Sequence, residues 1–447
     1  MTGIYIYLTI YFIIFALLSL KSYKLSISMI CMTILLCPSI LANKIIDYMI
    51  LFSLISSFLN AKQWSCLYCF IIQHKIALGI YCLVSFCIIF FSEIVPFTNQ
   101  FHTFRGNFLK IILVIEIFLL CKGDYNYSKS LLLLICICVM SNVVYSVIFE
   151  IVLRMNPAGL PLYILLGVDN DEFLVDMIDS GRGMFDFRLQ SVYGHPLSYG
   201  QYFLVLAPVL LLLNNRIAKI LLIACVGVII FLTGTRGAIA PFALLIMFFM
   251  IEHLRKMNYL FVFIVVLLAS VATIVVLADD DLKFDMFWSD KSMASKNYRG
   301  SSWEMRLYQM DAAFDEIDAN PMFGKGYGYR EFFQKKFGGS HPKLLGYESV
   351  LLLHLVERGY IGLVFFFITI YYVYCLFKGN TQKTSMIVYV LFAYCSSIIL
   401  TGVRPLSFLF VGLSCSIICG LMPKFKCEIH GLEHLSRYKA DFHAIIS

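Results

Sequence analysis

The chain has 447 residues, of which 60% are hydrophobic and only 14% are charged, and its mean hydropathy is +0.83. A soluble domain has too little interior to bury that much apolar surface. The net charge of +7 is modest, and the positive residues of the short connectors indicate orientation in a membrane rather than nucleic-acid binding.

Apolar runs of roughly 17 to 25 residues recur along the chain, and each can cross about 30 Å of hydrocarbon. The runs are continuous rather than alternating, which is typical of helices. We therefore predict an all-α polytopic membrane protein with about 12–14 transmembrane helices and one large extracytoplasmic loop. The stretch 64–73 is too short to span and is predicted to be interfacial. The candidate spans are 3–20, 25–42, 45–60, 76–96, 108–122, 130–153, 198–214, 217–234, 237–251, 258–277, 350–376, 384–401 and 405–422.

Short connectors rich in Lys and Arg mark the predicted cytoplasmic side, and the loops between them then fall on the outer side. The resulting segments are N-terminal transmembrane helices in 1–153, an outer loop with Arg188 in 154–197, central helices with the turn at Arg236 in 198–277, a large outer loop in 278–349, C-terminal helices in 350–422 and a cytoplasmic tail in 423–447.

Two arginines of the predicted outer side are candidates for binding an anion. Arg236 lies between the apolar runs 221–234 and 238–250. It either reaches the lipid headgroups as an interfacial arginine or serves as a fixed cation for a phosphate, which a guanidinium binds bidentately. Considered by itself, Arg188 is interpreted as a loop residue paired with Asp186. Together, the two cations suit a pyrophosphate, and Arg404 in a third outer turn could join them.

Glu348 opens the helix that follows the large outer loop. The carboxylate either complements the helix dipole or acts as a general base, because partial desolvation at the bilayer edge raises the pKa of a carboxyl group. The outer histidines His195 and His341 have no partners at metal-ligand spacing, so no metal is predicted. The glycine-rich run 324–328 lacks the spacing of a phosphate-binding loop and is predicted to be a turn.

Taken in order, several short motifs resemble those of the O-antigen polymerase (Wzy-type) and O-antigen ligase superfamily. The resemblance covers roughly residues 186–365. The motifs are Arg188-x-x-Ser191-x-x-Gly194-His195-Pro196 before a span, Thr233–Ala238 between spans, an outer loop with Arg306 and Asn320–Gly328, and Glu348-Ser349-x-x-Leu352-x-x-Leu355-x-Glu357-x-Gly359-x-x-Gly362.

The resemblance implies a GT-C-like membrane glycosyltransferase that acts on undecaprenyl-pyrophosphate-linked glycans at the periplasmic face of a bacterial inner membrane. The diphosphate is the leaving group, so neither a nucleotide nor a metal cofactor is expected. By resemblance, Glu348 would accept the proton of the attacking hydroxyl. The diphosphate would be bound by Arg188, Arg236, Arg404 and Arg306, with Tyr193, His195 and His341 as supporting residues.

Ligases carry a histidine where this chain has Glu348, which favours a polymerase and leaves a ligase as the alternative. A flippase for the lipid-linked unit is a third interpretation, but carriers usually show repeat-related halves, and we find none. The partners implied are lipid-linked repeat units and membrane lipids. A chain-length regulator protein is a further candidate partner, and no nucleic acid is expected.

Overall fold

The computed structural model describes residues 2–92, 94–159, 188–254, 303–338, 341, 343–344, 349–379, 381–402 and 406–422. Over these ranges the chain is built from α-helices, with short 3-10 turns at Pro157–Gly159 and Ser191–Tyr193. We number the helices α1 (Thr2–Lys21), α2 (Tyr23–Leu36), α3 (Ser39–Leu59), α4 (Ala61–Gln73), α5 (Lys75–Phe91), α6 (Phe97–Gly123), α7 (Tyr125–Tyr145), α8 (Pro196–Leu210), α9 (Arg216–Leu232), α10 (Arg236–Leu254), α11 (Trp303–Ile317), α12 (Tyr329–Phe337), α13 (Val350–Phe377), α14 (Thr381–Thr401) and α15 (Ser407–Leu421).

The protein is an all-α polytopic membrane protein. Among the described residues, Tyr125–Val152 and Val350–Phe377 are long and apolar enough to cross a bilayer, and several other helices are apolar but shorter. Ile45–Leu59 and Ala61–Gln73 form a third candidate if they are counted as one span, but they meet at 109°. The larger number of spans predicted from the sequence remains a prediction, and the predicted span 258–277 lies outside the described residues.

Most predicted spans coincide with a helix, and three boundaries differ by more than five residues. The predicted span 25–42 ends at Leu36 because Pro38 cannot continue the helix, and the next helix begins at Ser39 rather than at residue 45. The predicted span 108–122 begins at Phe97, directly after Pro96. The first turns of this helix are polar, so the hydropathy pattern did not indicate that the helix extends this far.

Helix α8 lies at the centre of the helix array. Nearly all of its side chains are buried, as expected for a helix that is apolar on every face. It packs against α9, α10, α14 and α15. Helices α6 and α15 also pack closely: a Cβ atom at Gly412 would lie 2.3 Å from Val114 Cγ2. Small residues at helix contacts are typical of membrane bundles.

Helix α13 is interrupted at Gly359, and the loop 320–326 fills the interruption. In an unbroken helix, the N–H groups of Tyr360 and Ile361 would bond to the carbonyls four residues earlier. Here they donate instead to Pro321 O at 2.9 Å and Met322 O at 3.3 Å. The carbonyls left over, those of Val356 and Glu357, accept from Lys325 N at 2.8 Å and Gly326 N at 2.9 Å. The loop therefore satisfies all four backbone groups of two missing helical bonds.

Two glycines make this close approach possible. Gly359 has φ 63° and ψ −161°, a region that essentially only glycine occupies, and a Cβ atom there would lie 2.4 Å from Met322 C. Gly324 has φ 66°, and its Cβ atom would lie 2.5 Å from Val356 O. The glycine-rich run predicted to be a turn is confirmed as turns, and its conformation is fixed by its contact with α13.

We expect Gly359→Ala to lower the free energy of unfolding by roughly 3 kcal/mol or more, because strained backbone and steric overlap add up. The measurement is thermal unfolding of the purified protein in detergent. Gly79→Ala is the matched control: nothing lies within 4 Å of its added Cβ atom, and it should stabilise α5 by up to about 1 kcal/mol. Equal melting temperatures for wild type and Gly359→Ala would contradict the loop–helix pairing.

Candidate functional site

The motif that ends in Gly194-His195-Pro196 builds the start of α8. Gly194 has a left-handed φ of 63°, and His195 follows as the N-terminal cap. The Nδ1 atom of His195 accepts from Leu197 N at 3.1 Å, and Pro196 occupies the first turn, where a missing N–H does no harm. His195 thus has a capping role at the N-terminal end of the central helix.

Tyr193 lies in the helix core. Its side chain is 2% exposed, and its hydroxyl donates to Leu35 O at 3.0 Å. Its ring contacts Tyr199, Tyr202, Phe203 and Phe410. These contacts join the C-terminal end of α2 to α8, so the structure gives Tyr193 a packing function.

Arg188 contacts the turn between α9 and α10. Its Nε atom donates to Thr233 O at 2.6 Å, and Nη2 lies 3.5 Å from Thr235 Oγ1. The neighbouring Leu189 N–H donates to Leu232 O at 3.3 Å. Carbonyls at the C-terminal end of a helix lack intrahelical donors and carry partial negative charge. A guanidinium is therefore a suitable cap for α9.

This contact brings together two of the segments that the sequence analysis singled out. Arg236 is the first residue of α10 and directly follows the turn that Arg188 holds. Its side chain lies outside what the structure describes. The turn also packs on α8, because the Thr235 hydroxyl donates to Pro196 O at 3.3 Å, and a Cβ atom at Gly200 would lie 3.0 Å from Thr233 Oγ1.

The remaining predicted site residues are covered only in part. Glu348 and Arg404 lie outside the described residues, and Arg306 is described by its backbone alone, in α11. The residues that flank the turn of Arg404 also contact α8: Gly402 O accepts from Gln201 Nε2 at 2.9 Å, and Leu406 N donates to Tyr202 OH at 3.3 Å. The segments around Arg188, Arg236 and Arg404 therefore all border the central helix.

His341 belongs to a polar cluster in the large outer loop. Its Nδ1 atom accepts from Leu344 N at 3.0 Å, so Nε2 carries the proton and donates to Glu316 Oε1 at 3.1 Å. Lys325 Nζ lies 3.4 Å from Glu316 Oε2, and the Tyr329 hydroxyl donates to the same oxygen at 3.2 Å. With both ring nitrogens engaged, His341 fixes the fold of the loop.

The Glu316 carboxylate is the negative centre of this cluster. Partial burial alone would raise its pKa, but the Lys325 ammonium and the His341 ring hold the pKa below its usual value. The carboxylate is therefore ionised at neutral pH and joins α11 to the segment that precedes α13.

Sequence reasoning missed the side chains that seat the loop 320–328 on the membrane helices. Gln100 of α6 is buried, and its Oε1 atom accepts from Tyr327 N at 3.2 Å. The Tyr327 hydroxyl lies 3.0 Å from Ser85 Oγ, and the Arg358 guanidinium stacks 4.4 Å above the Tyr327 ring. A buried amide in α6 and an arginine in an apolar helix were the available signals.

The ranges that the structure describes contain no group of three or more His, Cys, Asp or Glu side chains arranged to hold a metal ion.

Comparison with known protein families identifies residues 220–367 as a match to the family described as O-Antigen ligase. The match covers about a third of the chain and supports the O-antigen polymerase/ligase superfamily. The match runs from α9 through the outer loop into α13, so it includes Arg236, Arg306 and Glu348. Arg188 lies before it and Arg404 after it. No curated protein matches the chain.

The superfamily match supports a glycosyl-transfer function in O-antigen processing, of the ligase or polymerase type. It also agrees with the apolar helices in indicating a membrane protein.

Proposed function

We propose that this superfamily member is an O-antigen polymerase at the periplasmic face of a bacterial inner membrane. It would transfer a growing glycan from its undecaprenyl pyrophosphate carrier to the next lipid-linked repeat unit. The observation that carries the proposal is the hydrogen bond from Arg188 to Thr233 O, because it holds one cationic segment against the turn from which Arg236 starts α10.

In the proposed reaction, a sugar hydroxyl of the acceptor attacks the anomeric carbon of the donor. A glycosidic C–O bond forms, the C–O bond to the diphosphate breaks, and undecaprenyl pyrophosphate leaves with the electron pair. Arg188 and Arg236 stabilise the charge that grows on the diphosphate, with Arg306 and Arg404 as further cations. Glu348 accepts the proton of the attacking hydroxyl. Neither a nucleotide nor a metal is required, since the carrier bond supplies the energy.

The second candidate is an O-antigen ligase, which would transfer finished polymer to lipid A–core. The description of the matching family favours it. Glu348 at the position where the ligases carry a histidine favours the polymerase.

Deletion of the gene followed by a lipopolysaccharide gel distinguishes the two activities. We expect a core capped by a single repeat unit, because unpolymerised units are still ligated. Loss of all capped core, with polymer still present on its carrier, would identify a ligase and overturn the polymerase proposal. An unchanged glycan would overturn both activities.

We expect Arg188→Ala and Arg236→Ala each to reduce polymer formation at least about 100-fold, because a preorganised charge at the leaving group is lost. The readout is the polymer ladder in a complemented deletion strain, with protein level measured in membranes. Arg216→Ala is the matched control, since this exposed arginine begins α9 at the end opposite the Arg188 contact. Normal ladders in either site variant would refute the proposed diphosphate site.

Glu348→Gln should slow chain growth by roughly 10²- to 10⁴-fold, the usual contribution of a general base. The substitution removes the proton acceptor at nearly constant size, and initial rates with lipid-linked repeat units measure the effect. Asp311→Asn, an exposed acid of α11, controls for loss of one negative charge in the outer loop. A Glu348→Gln rate equal to wild type would rule out this residue as the base.

A further inference from the structure

A stripe of polar side chains runs along the C-terminal part of α7 and the helical segment that continues it, in an otherwise apolar sequence. Asn142, Ser146 and Glu150 are spaced by four residues and are all buried. After Tyr145 the helix continues as a π-helical segment, Ser146–Val152. Such segments are rare and often lie at functional sites. These buried polar groups hold a distant part of the chain in place.

Glu150 holds the backbone just after Arg188. Its Oε1 atom accepts from Gln190 N at 2.9 Å and from Ser191 N at 2.8 Å. The Nδ2 atom of Asn156 donates to the same oxygen at 3.0 Å. Ser191 has a left-handed φ of 50°. Successive N–H groups in such a conformation form a concave site for an anion, and the Glu150 carboxylate occupies it.

The other polar contacts fix Ser191 further. Its hydroxyl donates to Asn142 Oδ1 at 2.8 Å, and its carbonyl accepts from Asn156 Nδ2 at 3.0 Å. Ser191 is therefore held through its N–H, its side chain and its carbonyl. On the other side, Leu189 N–H donates to Leu232 O. The segment 188–191 is thus attached to α9 at one end and to α7 at the other.

We propose that Glu150 is a positioning residue that sets the place of the Arg188 guanidinium through the backbone of Gln190 and Ser191. This inference rests on the proposed function of Arg188. A side-chain carboxyl oxygen suits the role because it can accept several hydrogen bonds at once. Without Glu150, two buried N–H groups lose their acceptor, Ser191 is no longer held in its left-handed conformation, and Arg188 is free to shift from Thr233 O.

The test compares donor KM and kcat for the full-length protein in lipid bilayers, with the lipid-linked repeat unit as substrate. We expect Glu150→Ala to raise donor KM by roughly ten- to hundredfold, because displacements of about 1 Å have effects of this size. Glu150→Gln keeps an acceptor oxygen of the same reach, so it should recover most of the loss. It also provides a second variant if Glu150→Ala does not accumulate.

The effects of Glu150 and Arg188 should not be additive. If Glu150 acts through Arg188, adding Glu150→Ala or Glu150→Gln to Arg188→Ala has little further effect, whereas independent sites would add. Glu116→Ala is the matched control, because Glu116 is a buried carboxylate of α6 bonded to Ser53 Oγ at 2.9 Å. Its loss should lower the amount of folded protein without a rise in donor KM.

The outcomes separate this inference from the proposed function. Wild-type kinetics for Arg188→Ala would overturn the diphosphate role of Arg188, and the positioning role of Glu150 with it. An impaired Arg188→Ala together with normal or fully additive Glu150 variants would overturn the positioning role alone. Raised donor KM, recovery by Gln and a non-additive double variant would together establish it.

Discussion

The replacement of two helical hydrogen bonds in α13 by backbone bonds to the loop 320–326 is the constraint on which the arrangement of α13, α5, α6 and this loop depends. A buried backbone group without a partner costs about 1–3 kcal/mol. If the loop moved away, four backbone groups of α13 would lose their hydrogen-bond partners. Neither element is therefore stable in this form without the other. Gln100 and Ser85 extend the constraint to α6 and α5 through Tyr327. The loop 320–328 is consequently part of the helical fold rather than an appendage to it.

A second polar assembly surrounds the N-terminal end of α8, and it follows a similar principle. Here the segment 188–195 meets the C-terminal ends of α2 and α9, whose last carbonyls lack helical partners. It also meets polar side chains of α7 and of the helical turn that follows α7. Tyr193 donates a hydrogen bond to Leu35 O, and Arg188 donates one to Thr233 O. Glu150 accepts hydrogen bonds from the N–H groups of Gln190 and Ser191. Polar residues of the motif thus complete helix ends, which fixes the orientation of the cation they carry.

The sequence predicted the helical class, the positions of most helices and the proximity of the segments around Arg188 and Arg236. Apolar length and proline positions are local signals, so hydropathy and helix-breaking rules were sufficient for them. The break at Gly359 was not predicted, because the groups that satisfy it come from a loop more than thirty residues earlier in the chain. Glu150 was missed for the same reason: its neighbours in sequence are apolar, and its backbone donors, Gln190 and Ser191, lie 40 and 41 residues away. The side chains of Glu348, Arg236, Arg306 and Arg404 remain predictions.

The boundaries of the family match divide the proposed diphosphate site between the matched residues 220–367 and the flanking chain. Arg236 lies within residues 220–367, whereas Arg188 and Glu150 precede them. The two parts are joined by short contacts to Thr233 and Leu232, so a small change in the segment 188–191 moves one cation relative to the other. A diphosphate bridging both cations would respond to such a shift more strongly than a ligand bound by either alone, because bidentate recognition depends on geometry as well as charge. In the proposed site, substrate selectivity would therefore depend on residues outside 220–367 as well, through the packing of α7 against the segment that carries Arg188.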